Sequence, residues 1–167
     1  MDWQRALKGF SSYLKLERSL SQNTVESYLR DVRNLERFCD ELSISNPILV
    51  DTETLKKFIQ QVAEIGLSPT TQSRMVSGIR SFFKYLLLED KIETDPSSLL
   101  ETPKIGRKLP ETLSREEIIS MIEKIDLSKP EGERNRTILE TLYGSGLRVS
   151  ELVNLKISNI YFNEGFL

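Results

Sequence analysis

A chain of 167 residues with 38% hydrophobic content can hold one domain or two small ones, and its single cysteine forbids an internal disulfide. It has no histidine, which excludes a Ser/His/Asp or Cys/His centre and any His-ligated metal within these residues. The net charge of −2 excludes a uniformly basic surface, so an anion-binding face must come from local clustering.

Trp3, Ala6, Leu7, Phe10, Tyr13 and Leu14 recur at helical spacing and predict an amphipathic first helix. Ser19-Leu20-Ser21 breaks it, and Ser21 is placed to cap a second helix from about Gln22 to Leu42. Val25, Tyr28, Leu29, Val32, Leu35 and Cys39 form its core stripe. The opposite face carries Asn23, Ser27, Arg30, Asn34 and Arg37, flanked by Glu26, Asp31, Glu36 and Asp40. Such a face is either a solvated surface or a DNA contact. After a loop containing Pro47, a third helix starts near Asp51 or Thr52, buries Leu55, Phe58, Ile59 and Val62, and stops at Gly66.

The fourth helix has Ser68 as its cap and Pro69 at the first helical position. Met75, Ile79, Phe82 and Leu86 build a core stripe, while Thr70, Ser73, Ser77, Arg80 and Lys84 line the other face, with Arg74 and Ser81 at its edge. No acid occurs from Ile65 to Leu88. Small hydroxyls let a helix approach a groove, and cations neutralise phosphates, so duplex DNA is the expected partner of this face. Gly78 in mid-helix costs about 1 kcal/mol against alanine and implies a close approach, by a neighbouring helix or by a ligand.

Asp95-Pro96 ends that region, and a short helical turn is expected at 97–100. Pro103 to Pro110, PKIGRKLP, reads as a linker. Ser114 and Glu117 form a capping box, with Leu113 and Ile118 as its hydrophobic staple. Ile118, Ile122 and Ile125 face the core of a fifth helix, and Ile138, Leu139 and Leu142 that of a sixth, ending at Gly144. Leu147, Val149, Leu152, Val153 and Leu155 then predict a short buried helix, and Tyr143 a core position. Asn163-Glu164-Gly165, between apolar Ile160, Phe162 and Phe166, reads as a hairpin turn.

Arg148 and Glu151 share a helix face. From spacing alone they are either a capping pair or an anion site, because a guanidinium fork matches two phosphate oxygens. Their context, Leu142-Tyr143-x-x-Gly146-Leu147-Arg148-x-Ser150-Glu151-Leu152, resembles the first catalytic-arginine motif of the tyrosine recombinases. The likeness is nearest to the bacterial Xer type, and to its D subunit, with the C subunit left open. Thr24, Tyr28, the run from Ser68 and Thr71 to Tyr85, Asp95-Pro96 and Pro103-Lys104 resemble the rest of the family's pattern.

The resemblance implies a mainly α chain. Residues 1–103 would be a four-helix core-binding, SAM-like DNA clamp, 104–110 a linker, and 111–167 the truncated, mostly helical start of an α+β catalytic domain. It implies Arg148 as a catalytic residue with Glu151 in support, and DNA contacts from Asn23, Ser27, Arg30, Thr70, Ser73, Arg74, Ser77, Arg80 and Lys84. Partners would be a duplex recombination site and sister subunits in a tetramer, with no cofactor, ATP or metal. The expected setting is chromosome dimer resolution in the cytoplasm, away from membranes. A mobile-element integrase and a non-catalytic helical DNA-binding module are the alternatives. The family's lysine, His-x-x-Arg motif and nucleophilic tyrosine are not among these residues, so the chain alone is expected to bind without cutting. The apolar faces of 111–167 are expected to lack covering partners.

Overall fold

The structure, a computed structural model, describes residues 1–103, Gly106, Leu109, 111–161 and Gly165. Its helices are α1 (Trp3–Ser12), α2 (Gln22–Glu41), α3 (Thr52–Glu64), α4 (Pro69–Leu88), α5 (Arg115–Glu123), α6 (Gly132–Ser145) and α7 (Val149–Val153). The chain is mainly α, and no strand occurs among the described residues. It divides into two compact units, Met1–Arg107 and Lys108–Leu167. Most of the expected 104–110 linker and of the expected hairpin lies outside the described residues.

In the first unit, short polar side chains set where helices begin. Asp2, Ser21, Asp51 and Ser68 each accept a hydrogen bond from the backbone N–H three residues on, satisfying a donor that the first turn leaves orphaned. Gly66 follows α3 with φ of +84°, a left-handed conformation open to glycine at low cost. The first helical segment changes pitch: α1 gives way to a π-helical turn at Tyr13–Glu17, which still buries Tyr13 and Leu14.

The expected core residues of α1 through α3 are buried or pack against the core. Burial pushes the Cys39 thiol up to about 12, so it behaves as a small apolar residue. Helix α4 departs from the expected single stripe. Val76, Gly78, Phe83 and Tyr85 are buried along with Met75, Ile79, Phe82 and Leu86. The reason is its place in the fold: α1, α2 and α3 all pack against it. Trp3 stacks on Phe82 with ring centroids 6.0 Å apart, and Phe10 meets the same ring edge-on at 5.3 Å. The segment after α4 forms hydrogen-bonded turns, Ser98 N–H to the Asp95 carbonyl and Leu100 N–H to the Ser97 carbonyl, and not the expected helical turn at 97–100; the Asp95 carboxylate also accepts from the N–H and Oγ of Ser97. Thr52 Oγ1 donates to the Pro96 carbonyl at 2.9 Å and ties this turn to the start of α3.

One cap carries a pH prediction. The Thr54 backbone N–H bonded to Asp51 holds that carboxyl below its usual range. A depressed carboxyl stabilises the fold above its unfolded pKa, and the contribution disappears as pH falls through the lower folded value. The melting-temperature gap between wild type and Asp51→Asn should therefore close on acidification. A gap that stays constant with pH would show that the charge contributes nothing.

The second unit is built differently. Its capping box forms as expected: Glu117 accepts from the Ser114 N–H at 2.7 Å, and Ser114 accepts from the Glu117 N–H at 3.2 Å. Helix α6 runs to Ser145, and the reversal falls at Gly146, with φ of +67°, rather than at Gly144. Among the described residues of this unit only Gly132 is buried, where a side chain would meet the Asp126 carbonyl. Ile118, Ile122, Ile125 and Leu139 are half-buried. Tyr143, expected in the core, is 52% exposed and borders an apolar groove with Leu113, Met121 and Leu142. The expected short buried helix is α7, but Val149 and Val153 stand exposed on it. Periodicity identified an apolar face there without a cover for it.

Candidate nucleic-acid interface

Helices α2 and α4 lie side by side, and their polar faces meet at one side chain. Arg74 Nη1 donates to Ser27 Oγ and to Asp31 Oδ2, at 2.5 Å each. Asp31 is fully buried, while the Arg74 side chain keeps 38% of its surface exposed. Gly78 explains how an acid fits between two helices. A Cβ there would come within 3.0 Å of Asp31 Oδ2 and 3.4 Å of the Tyr28 ring. The close approach expected at Gly78 is thus made by α2. Burial pushes the Asp31 carboxyl up, and Arg74 beside it pulls it back only part of the way. Asp31 Oδ1 is buried with no hydrogen-bond partner among the described residues.

Around this junction lie the other expected contact residues. Asn23 and Arg30 on α2, and Thr70, Ser77 and Lys84 on α4, are exposed; Ser27, Ser73 and Arg80 are half-buried. Ser77 Oγ donates back to the Ser73 carbonyl at 2.9 Å, which leaves its lone pairs outward. Arg80 is not a free cation: Nη2 donates to the Leu100 carbonyl and Nη1 to Thr102 Oγ1 at 3.4 Å, fastening the strand of chain beyond α4. Arg30 and Lys84 form no hydrogen bond or ion pair among the described residues. The face is a row of hydroxyls and cations, with one acid sealed beneath it. Sequence reasoning placed Asp31 only as a flanking acid. The signal that could have found it was Gly78, whose missing side chain marks where something polar or bulky comes close.

The arginine motif lies in the second unit. Gly146 turns the chain, and Arg148 becomes the residue that starts α7. Its backbone N–H donates to Glu151 Oε2 at 2.7 Å, and its Nη1 to Glu151 Oε1 at 3.1 Å. These bonds hold the Glu151 carboxyl below its usual range. The Arg148 side chain remains 83% exposed. The pair therefore caps α7 while leaving most of the guanidinium open to an anion.

Residues 7–90 match the phage integrase N-terminal SAM-like domain, and residues 111–167 match the phage integrase family. The chain belongs to the phage integrase family of tyrosine recombinases. Tyrosine recombinase XerD of Staphylococcus haemolyticus (strain JCSC1435) is 35% identical to this chain over 161 residues, covering 96% of the chain and 55% of the relative. XerD of Staphylococcus aureus (strain N315) is 34% identical over the same coverage. The chain thus spans about half the length of the curated relatives it matches. In fold it is similar to the Tn1549 transposon integrase solved with transposon right end DNA. That match has a TM-score of 0.69 at 22% identity, covering 98% of this chain and 50% of that one. The integrase from mycobacterium phage Brujita gives 0.56 at 19% identity, covering 97% and 52%.

Proposed function

We propose that this chain is the DNA clamp and the beginning of the catalytic domain of an Xer-type site-specific recombinase. Residues 1–103 would form the clamp, 104–110 the connection, and 111–167 the part carrying Arg148. The observation that carries the reading is the row of hydroxyls and cations where α2 meets α4, in a chain 35% identical to XerD over 161 residues. Exposed Arg30 and Lys84 would neutralise phosphates, while Asn23, Thr70, Ser73 and Ser77 would sit close against the duplex.

In the reaction proposed for the whole protein, a tyrosine hydroxyl attacks a DNA phosphodiester. The phosphorus forms a bond to the tyrosine oxygen, and a 5′-hydroxyl leaves. A 5′-hydroxyl of the partner duplex then reverses the step, so bond energy is conserved. Arg148 would hold the non-bridging oxygens as charge builds on them, and Glu151 would fix its backbone and one guanidinium nitrogen. The tyrosine is supplied by neither Tyr143 nor Tyr161, so these residues alone should bind DNA without cleaving it. Sister subunits would assemble as a tetramer on the site, and separation of chromosome dimers in the cytoplasm is the role we assign. The fold likeness to a transposon integrase supports a second reading, recombination of a mobile element.

The binding test must avoid the two arginines that also hold the fold. Arg74→Ala would strand the buried Asp31 charge, and Arg80→Ala would release the 100–102 segment. Lys84→Ala carries no such cost, and Arg30→Ala removes only a charge attraction to Asp31 smaller than that of Arg74. Each should weaken binding to duplex DNA and reduce the slope of log affinity against log salt by roughly 0.9. Unchanged affinity and slope for both would overturn the assignment of this face.

A further inference from the structure

A buried carboxylate inside a face meant for phosphate is at first sight misplaced, because its charge opposes the ligand. The geometry around it gives it a use. A guanidinium has two edges that can each present a pair of parallel N–H donors. Arg74 spends Nη1 on Ser27 and Asp31, which come from one turn of α2. Nε and Nη2 make up its side edge, and neither has a partner among the described residues. The side chain keeps 38% of its surface exposed, and neither nitrogen is among the buried atoms left without a partner, so that edge reaches solvent. Gly78 supplies the room that lets the carboxylate reach the guanidinium from below.

We infer that Asp31 is a positioning residue: it grips one nitrogen of Arg74 so that the other edge is fixed outward as a two-pronged seat for a single DNA phosphate. Ser27 is the second half of the grip. The inference rests on the proposal that this face binds DNA, and deepens it by naming the residue that orients the contact. An arginine free to rotate would lose side-chain entropy when it captured a phosphate. One already held from behind loses less. Asp31 itself never touches the ligand.

Two expectations with opposite signs separate this role from a merely structural one. If Asp31 only helps join α2 to α4, removing it deletes a negative charge near DNA, and the folded protein should bind more tightly. If it positions Arg74, Asp31→Ala should bind roughly tenfold more weakly despite its more favourable charge, the scale of one well-placed charged contact. Its salt slope should fall by about one phosphate's worth.

The experiment is fluorescence anisotropy of the whole chain on a labelled duplex of mixed sequence, at several salt concentrations. Circular dichroism melts confirm that each variant is folded at the working temperature. Arg74→Lys is the second variant, and it decides the matter if Asp31→Ala does not fold. It keeps the charge and can still pair with Asp31, but an ammonium cannot grip inward and present two parallel donors outward. It should lose affinity while keeping its salt slope. Wild-type affinity in Arg74→Lys, or tighter binding by folded Asp31→Ala, overturns the inference. If those two variants bind like wild type while Arg30→Ala and Lys84→Ala weaken binding, the grip is wrong and the DNA face stands. If none of the four changes binding, both readings fail.

Discussion

Phe82→Ala should be the most damaging single substitution in the first unit, costing about 3–5 kcal/mol. The ring is fully buried and touches three other aromatic rings: Trp3 at 6.0 Å, Phe10 at 5.3 Å and Phe83 at 5.4 Å between centroids. It sits on α4, the helix that α1, α2 and α3 share, so the cavity would open where three packings meet. Loss of the ring removes its own burial and leaves neighbours that cannot close around the void without moving a helix. A domain of this size has roughly 5–15 kcal/mol of stability in all. The substitution should therefore lower the melting temperature by more than about 10 °C, at roughly 4–8 °C per kcal/mol. Leu88→Ala, on the same helix but 60% exposed, is the control and should move stability by less than about 0.5 kcal/mol. Chemical denaturation of both variants checks the claim. A Phe82→Ala loss no greater than that of the control would mean the aromatic cluster is not the centre of the fold.

The second large effect belongs to Arg148, and rests on the proposed chemistry. Placed in a chain with a complete catalytic domain, Arg148→Ala should bind its DNA site and accumulate covalent DNA–protein complex about a hundred- to a thousandfold more slowly. That is the range for one lost donor to transition-state charge, about 2.7–4 kcal/mol. Its effect on folding should be small, because the side chain is 83% exposed and the backbone N–H that Glu151 caps is retained. Arg148→Lys keeps the charge without the fork and should fall between. The measurement is suicide-substrate trapping with binding assayed in parallel. Normal cleavage by Arg148→Ala would leave the pair as a helix cap and nothing more.

What could be read from the sequence was set by the range of the interaction. Caps at Ser21, Ser68 and Ser114 depend on atoms three residues apart, and each formed as expected. The apolar stripes of α1, α2 and α3 depend on spacing within a helix, and they too were legible. The burial of Val76 and Phe83 was not, because it requires knowing that three helices share α4. Asp31 was hidden for a related reason. An acid among polar neighbours looks like surface until its partners on another helix, Arg74 and Gly78, are known. In the second unit the spacing of Leu147, Val149 and Val153 correctly implied an apolar face, yet spacing carries no information on what lies against it. Residue order singled out Arg148 and Glu151, spacing left capping and anion binding both open, and the structure adds the capping bonds themselves.

The position of Trp3 has an optical consequence. It is the only tryptophan in the sequence, it stacks on Phe82, and its indole N–H donates to the Ile44 carbonyl at 3.2 Å. Both contacts are remote in sequence, so neither exists when helices have formed but not docked. Intrinsic fluorescence excited at the indole band therefore reports closure of the first helix onto the fourth, whereas far-ultraviolet ellipticity reports helix content. A refolding experiment that follows both signals would time these two events separately, with no label attached.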